Sequence, residues 1–325
     1  MTPGERMTRD SMAGINWIND FEWRWGHLRV KKTGAIVPLS KAIRSEFFAW
    51  FDFFLAVNRA PQEPGARFTI AFAPDRPRPW YLIWPVLRLA GARFVDDPAQ
   101  ADVMMQFEDA TRPHPVKVPA RSRGLPMNFD CTDVSKSRVA TTFEAAFGYP
   151  LAVDPATHVG EAVEKSEENG AHDGRIVQCP TPAKAGRVYQ RVIDNRIEGR
   201  PELVEDIRTP TVGGMPVIVF LKRRLVSDRF ANANAEVVVA KPEDVYSQAE
   251  LASIARFTAL LGLDWGGLDV LRDAREGRLY IVDANKTDMG PPTALPLAEK
   301  LHATRFMARA FRAFVTGAAQ TDRGN

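Results

Sequence analysis

Apolar positions along the chain fall into short runs with strand period, interleaved with a few stretches of helical period. Residues 67 to 74, RFTIAFAP, predict a short buried strand ending at proline. Trp80 to Ala90 predicts a helix closed by Gly91, ARFVDD a second strand, and 103 to 109, VMMQFED, a third. This order predicts a small open α/β layer over 66–130. From Lys136 the pattern becomes α+β, with a helix over 136–147, strands at 149–155, 174–178 and 188–193, and a polar loop over 166–174. EDIRTPTV and MPVIVFLKRR flank the turn Gly213-Gly214 and predict two more strands. Ser247 and Glu250 form a capping box ahead of Leu251, Ile254, Phe257 and Leu261, and Gly262 stops that helix. Alternating strands at 268–273 and 278–284 flank the turn Ala274 to Gly277 and predict a hairpin. A last helix is expected over 294–316, with a loose tail over 319–325.

Residues 1–65 are an aromatic-rich lead-in with Trp17, Trp23 and Trp25, broken off at Pro61 to Gly65. Within it, Phe47 to Val57 predicts a buried helix; an interfacial or dimerisation helix is the alternative, which leaves a homodimer open. The 325 residues, 45% hydrophobic and 26% charged, have ordinary globular composition and length for about two domains. A net charge of +3 is too balanced to imply nucleic acid as a partner. Cys131 and Cys179 stand far apart, which encodes neither a disulfide framework nor a zinc site. With no apolar signal region and no membrane-length run, the expected location is the cytoplasm. P-loop, dinucleotide and serine-hydrolase signatures are absent.

The chemistry concentrates on the hairpin. With its turn centred near residue 276, Asp269 lies opposite Asp283, about 5 Å away, and Asn285 shares their face. Carboxylates this close repel unless a cation lies between them, and hard oxygen ligands suit Mg²⁺ or Mn²⁺. On an open hairpin the same acids would be ordinary surface charge. Upstream, Asp206 and Arg208 on one strand, Lys222-Arg223-Arg224 on the next, and Arg229, Asn232 and Asn234 in the following loop supply cations for a polyphosphate. The strand VYQRVI, with Gln190, Arg191 and Val192, offers a backbone edge for an adenine ring.

These residues, in this order, resemble the ATP-grasp superfamily, within it the glutathione synthetases and the glutamate ligases that modify ribosomal protein tails. The resemblance covers 131–318, with 66–130 similar to the small α/β domain that precedes the grasp. It implies a two-lobed fold holding ATP between the lobes. It also implies a Mg²⁺-dependent ligase that joins a small-molecule carboxylate to an amine or other nucleophile through an acyl phosphate. Asp269, Asp283 and Asn285 then match the metal ligands, and Arg208, Arg229 and Asn232 the residues on the phosphates or acyl phosphate. Lys136, in VSKSRV, matches the first cationic site, with Gln190, Arg191, Val192, Lys222, Asp269 and Asp283 completing the nucleotide site. Three departures stand out: Asp283-Ala284-Asn285 replaces Glu-x-Asn, Val153-Asp154-Pro155 carries an acid where a phosphate-binding lysine is expected, and the loop SEENGAHDG is acidic rather than glycine-rich. They keep open a non-catalytic nucleotide-binding relative, as well as a phosphotransferase of the same fold.

Overall fold

The computed structural model describes residues 16–31, 36–120, 122, 124–171, 173–229 and 236–322. The lead-in is a three-stranded antiparallel meander, β1 (Phe21–Arg24), β2 (His27–Val30) and β3 (Ile36–Pro38), followed by helix α1 (Lys41–Arg59). Ser40 starts α1, its hydroxyl accepting from Ile43 N. The Phe47 to Val57 stretch lies within it, burying Phe53, Phe54 and Val57 while Phe48 stays exposed.

The α/β layer comprises β4 (Phe68–Pro74), helix α2 (Ile83–Ala90), β5 (Ala92–Phe94), β6 (Val103–Phe107) and β7 (Leu125–Met127). Its four parallel strands run in the order β5-β4-β6-β7. Gly91 closes α2 in the left-handed conformation, as its sequence suggests. The helix starts at Ile83 rather than Trp80, because Leu82 N donates to Asp288 O and Tyr81 bridges to Met289. The expected strand ARFVDD ends at Phe94, since Asp97 caps a short turn over 98–100.

Helix α3 (Lys136–Phe147), capped by Ser135, leads into β8 (Gly160–Ser166), β9 (Arg175–Cys179) and β10 (Arg187–Arg191). These pair antiparallel in the order β10-β8-β9. The expected strand at 149–155 does not form. Only the bridge Ala152↔Gln190 exists there, and Pro150 and Pro155 supply no amide for a longer ladder. The sheet's centre is instead 160–166, whose three charges among seven residues hide its strand character.

The rest of the chain is β11 (Arg196–Ile197), β12 (Arg200–Val212), β13 (Met215–Pro216), β14 (Val219–Leu225), β15 (Glu236–Ala240), short helix α4 (Pro242–Val245), α5 (Gln248–Leu261), β16 (Trp265–Arg272), β17 (Leu279–Asn285) and α6 (Leu297–Asp322). Its main sheet is antiparallel, β15-β14-β12-β16-β17. The two glycines of the β12–β13 turn have φ of 58° and 73°, and a Cβ on Gly213 would meet the Phe314 ring, so the turn needs glycine for conformation and space. Ser247 and Glu250 make the expected capping box on α5. Helix α6 begins three residues later than expected and extends to Asp322.

Two large apolar cores form among the described residues, beside a small cluster of Ala71, Ala101 and Met104. One joins α1, α2, α6 and the parallel sheet; the other packs α3 and α5 against β12, β16 and β17. Asn128, at φ 60°, ties the two regions: its side chain accepts from Asp264 N and Trp265 N and donates to Trp265 O. Among the described residues no helix is long and apolar enough to cross a membrane.

Candidate functional site

The β16–β17 hairpin places Asp269 directly opposite Asp283, and Gly267 opposite Asn285. The register then slips: Val270 faces Ile281, so Val282 is an unpaired extra residue. Its carbonyl accepts from Lys165 Nζ at 3.1 Å. Lys165 is the second-last residue of β8 and is not among the expected site residues. The signal available was a cation at the last turn of a strand preceding a polar loop.

Protein cations already sit beside both acids. Lys136 Nζ donates to Asp283 Oδ1 at 2.6 Å, and Arg208 Nη1 lies 2.8 Å from Asp269 Oδ1. Arg208 also pairs with Asp288, which sequence reasoning missed. Burial by itself would raise the Asp269 carboxyl, but Arg208, Lys222 and Lys136 outweigh it and hold the group well below the usual carboxylate range. Burial likewise would lower Arg208, yet Asp269 and Asp288 raise it, so this guanidinium stays charged. Asp288 and Asp206 are pushed up by burial against the opposing arginines, Arg208 and Arg224. Burial brings Lys165 down to about 8, with Asp283 opposing the shift.

A cavity of about 920 Å³ opens over these residues. Of the expected site residues, Lys136, Gln190, Arg191, Arg208, Lys222 and Arg229 line it, together with Asp269, Asp283 and Asn285. Val192 is not among its walls, and Asn232 and Asn234 lie outside the described residues. Arg229 donates to Ile193 O and Asn195 Oδ1, so it braces the chain after β10. The backbone edge of β10 is not open at Gln190: Arg191 N donates to Leu151 O, and Val153 N to Tyr189 O. What remains toward the cavity is the Gln190 side chain, buried with its Nε2 unpartnered.

The departures from the family pattern have local explanations. Asp154 is exposed and holds its own turn, accepting from Ala156 N and Thr157 Oγ1, away from the cavity walls. Lys165, not Asp154, lines the cavity. In the acidic loop, Glu167 accepts from Ser137 N at the start of α3, Glu168 accepts from Thr111 Oγ1, and Asp173 pairs with Arg187. These acids fasten the loop to the protein.

The donors suit Mg²⁺. Asp269 Oδ1 is buried and lies 2.8 Å from Arg208 Nη1 without an aligned hydrogen bond, so a cation there would share it with the guanidinium. Asp283 and Asn285 add oxygens on the same face, although Asp283 Oδ1 accepts from Lys136 and Asn285 Oδ1 accepts from Thr287 N and Thr287 Oγ1, which an ion would have to share. Among the described residues no group of three or more His, Cys, Asp or Glu is arranged to hold a metal. Two carboxylates and an amide are nonetheless an adequate set for an ion that keeps phosphate oxygens and water.

No family model matches the chain, and no curated protein matches it. Solved structures do. They include the ATP-grasp ligase PsnB complexed with minimal precursor, Mg and ADP, at 13% identity and TM-score 0.46, covering 74% of this chain and 96% of that one. A RimK domain ATP-grasp protein from Sphaerobacter thermophilus aligns at 14% identity and TM-score 0.45, covering 77% and 100%. D-alanine–D-alanine ligase from Bacillus anthracis, complexed with ATP, aligns at 13% and 0.43, covering 79% and 100%. At identities and scores this low, the chemistry is read from the site's own side chains.

Proposed function

We propose that this chain is an ATP-grasp ligase: Mg²⁺-dependent, using ATP to activate a substrate carboxylate as an acyl phosphate that an amine or other nucleophile then captures. The observation that carries the reading is the facing pair Asp269 and Asp283, with Asn285 beside them, in a cavity that also holds Lys136, Lys165 and Lys222. Acids and lysines converging in this way answer a polyphosphate and its counter-ion together. Mg²⁺ held by the two acids and the amide would neutralise phosphate charge and polarise the transferred phosphoryl group. Lys165 and Lys222, without a carboxylate within ion-pair distance among the described residues, would take phosphate oxygens, and the unpartnered Gln190 Nε2 would donate to the base. Arg208, held between Asp269 and Asp288, would stabilise charge on the acyl phosphate oxygen without itself moving a proton.

The test is ADP release by the full chain with Mg²⁺ and ATP against a panel of amino acids. Release that requires both a carboxylate and an amine supports the ligase. Release with a hydroxyl compound alone makes the protein a phosphotransferase, and tight nucleotide binding without release makes it a binding relative.

A further inference from the structure

The cavity has a second end with different chemistry. Its walls are Trp50 and Phe53 from α1, Trp80 and Tyr81, and Met289 and Pro291 from the loop after β17. The loop and the Trp80 turn are stitched together, with Leu82 N donating to Asp288 O and Gly290 N to Trp80 O. Tyr81 is fixed by its hydroxyl, which donates to Asp109 Oδ2 at 2.7 Å. Trp50 stacks on Phe54 within the α1 core, and its buried Nε1 has no hydrogen-bond partner.

Lys300, in the first turn of α6, also lines the cavity. The residue is only 4% exposed, yet among the described residues its ammonium has neither a hydrogen bond nor an ion pair. Burial lowers its pKa, and Asp52 of α1 opposes that shift. A lysine buried along its stem, with its ammonium presented to a cavity and no anion bonded to it, is set to receive one.

We propose that this aromatic end binds the ligase's amine substrate, an amino acid with an aromatic or similarly bulky apolar side chain, whose carboxylate pairs with Lys300. The assignment rests on the ligase reading above for the reaction, though not for the binding. The ring lies among Trp50, Trp80 and Met289, where offset and edge contacts add to the gain from apolar burial. With its carboxylate held, the amine is free to react. Its nitrogen lone pair forms the C–N bond at the acyl phosphate carbon, the C–O bond to phosphate breaks, and phosphate leaves with that electron pair. The proton lost by nitrogen passes to the departing phosphate or to solvent.

The test is calorimetric titration of the full chain with L-phenylalanine, L-alanine and phenethylamine, with and without Mg²⁺ and a non-hydrolysable ATP analogue. L-Phenylalanine is expected to bind at least tenfold tighter than either control. Lys300→Met should erase the preference over phenethylamine while keeping nucleotide affinity and folding, since the methionine keeps the buried apolar stem and removes only the charge. Trp50→Leu should weaken L-phenylalanine and leave L-alanine unchanged. Equal binding of L-phenylalanine and phenethylamine to the native chain, or a preference that survives Lys300→Met, overturns the proposal. Amino-acid binding without nucleotide binding would sink the ligase reading and leave the subsite standing; nucleotide binding without amino-acid preference would do the reverse.

Discussion

Asp283 faces Asp269 across the hairpin because Val282 is an extra residue in β17. Continued unchanged from the turn, the ladder would set Val282 opposite Asp269 and aim the Asp283 side chain at the other face of the sheet. The bulge therefore brings the two acids together, and its carbonyl receives Lys165. Sequence reasoning reached the correct pairing by centring the turn near residue 276. The structure reaches it by a tighter turn and one unpaired residue.

Asp283→Asn is expected to weaken Mg²⁺-dependent nucleotide binding at least tenfold. It should also lower stability by about 2 kcal/mol, because Lys136 is left in a largely buried place without its carboxylate partner. Two facing acids alone would favour the opposite sign, since removing a like charge relieves repulsion. Here each acid has its own cation. Magnesium titrations of nucleotide affinity and urea unfolding check both parts, and a variant more stable than the native chain would contradict the pairing.

Lys165→Ala is expected to cost at least tenfold in ATP affinity, whereas Asp154→Asn should change it less than twofold. Asp154 is committed to Ala156 and Thr157 in its own turn, and Lys165 lines the cavity. Direct titration of both variants with Mg·ATP decides. A loss on changing Asp154 that exceeds the loss on changing Lys165 would reverse their roles.

The legible parts of the molecule were those in which local pattern and final environment agree. The α5 capping box, the Gly91 cap and the alternating β16 and β17 strands each carry their own signal, and all three form as expected. Strand β8 was missed because Glu161, Glu164 and Lys165 interrupt its apolar face, although Glu164 is buried beside its own cations. Lys165 went unseen for the same reason. Residues 149–155 read as a strand by alternation, but their prolines limit them to one bridge. Trp50 and Lys300 could not be joined to the hairpin from sequence, because only the packing of α1 and α6 on one core brings them to its cavity.

Glu164 gives a pH signature. Its side chain is 1% exposed, and its carboxylate accepts from Arg175 Nη2 at 2.6 Å, Lys184 Nζ at 3.0 Å and Tyr189 Oη at 3.2 Å. Burial would raise this carboxyl; Lys184 and Arg175 prevail and bring it down to about 2. A depressed folded-state value stabilises above the ordinary carboxylate range, and the contribution is lost as pH falls from about 4.5 toward about 2. The stability gap between the native chain and Glu164→Gln should thus be constant near neutrality and close in acid. Denaturant melts of both proteins between pH 7 and 3 measure it, and a gap that widens in acid would refute the assignment.

Gly267 is the flat spot on which the Arg208 cluster rests. It stands in β16 between Pro210 of β12 and Asn285 of β17, and a Cβ there would run into the Asp288 carboxylate and come within 2.8 Å of Arg208 Nε. Neither neighbour can yield freely, since Asp288 is 2% exposed and Arg208 is bound on both sides by Asp269 and Asp288. Gly267→Ala should therefore destabilise by about 2 kcal/mol through overpacking. It should also act on the site. Asp288, displaced from Arg208, would take up a proton because burial already raises its carboxyl. Arg208 would then hold Asp269 alone and compete more strongly with a cation for its oxygens, so the magnesium concentration needed for half-maximal nucleotide binding should rise several-fold. Asp288→Asn preserves the shape and removes the charge, so it should reproduce the magnesium effect without the steric cost. If Gly267→Ala kept both native stability and native magnesium dependence, Asp288 would not lie against the sheet at residue 267, and the bracing of Arg208 would have to come from Asp269 alone.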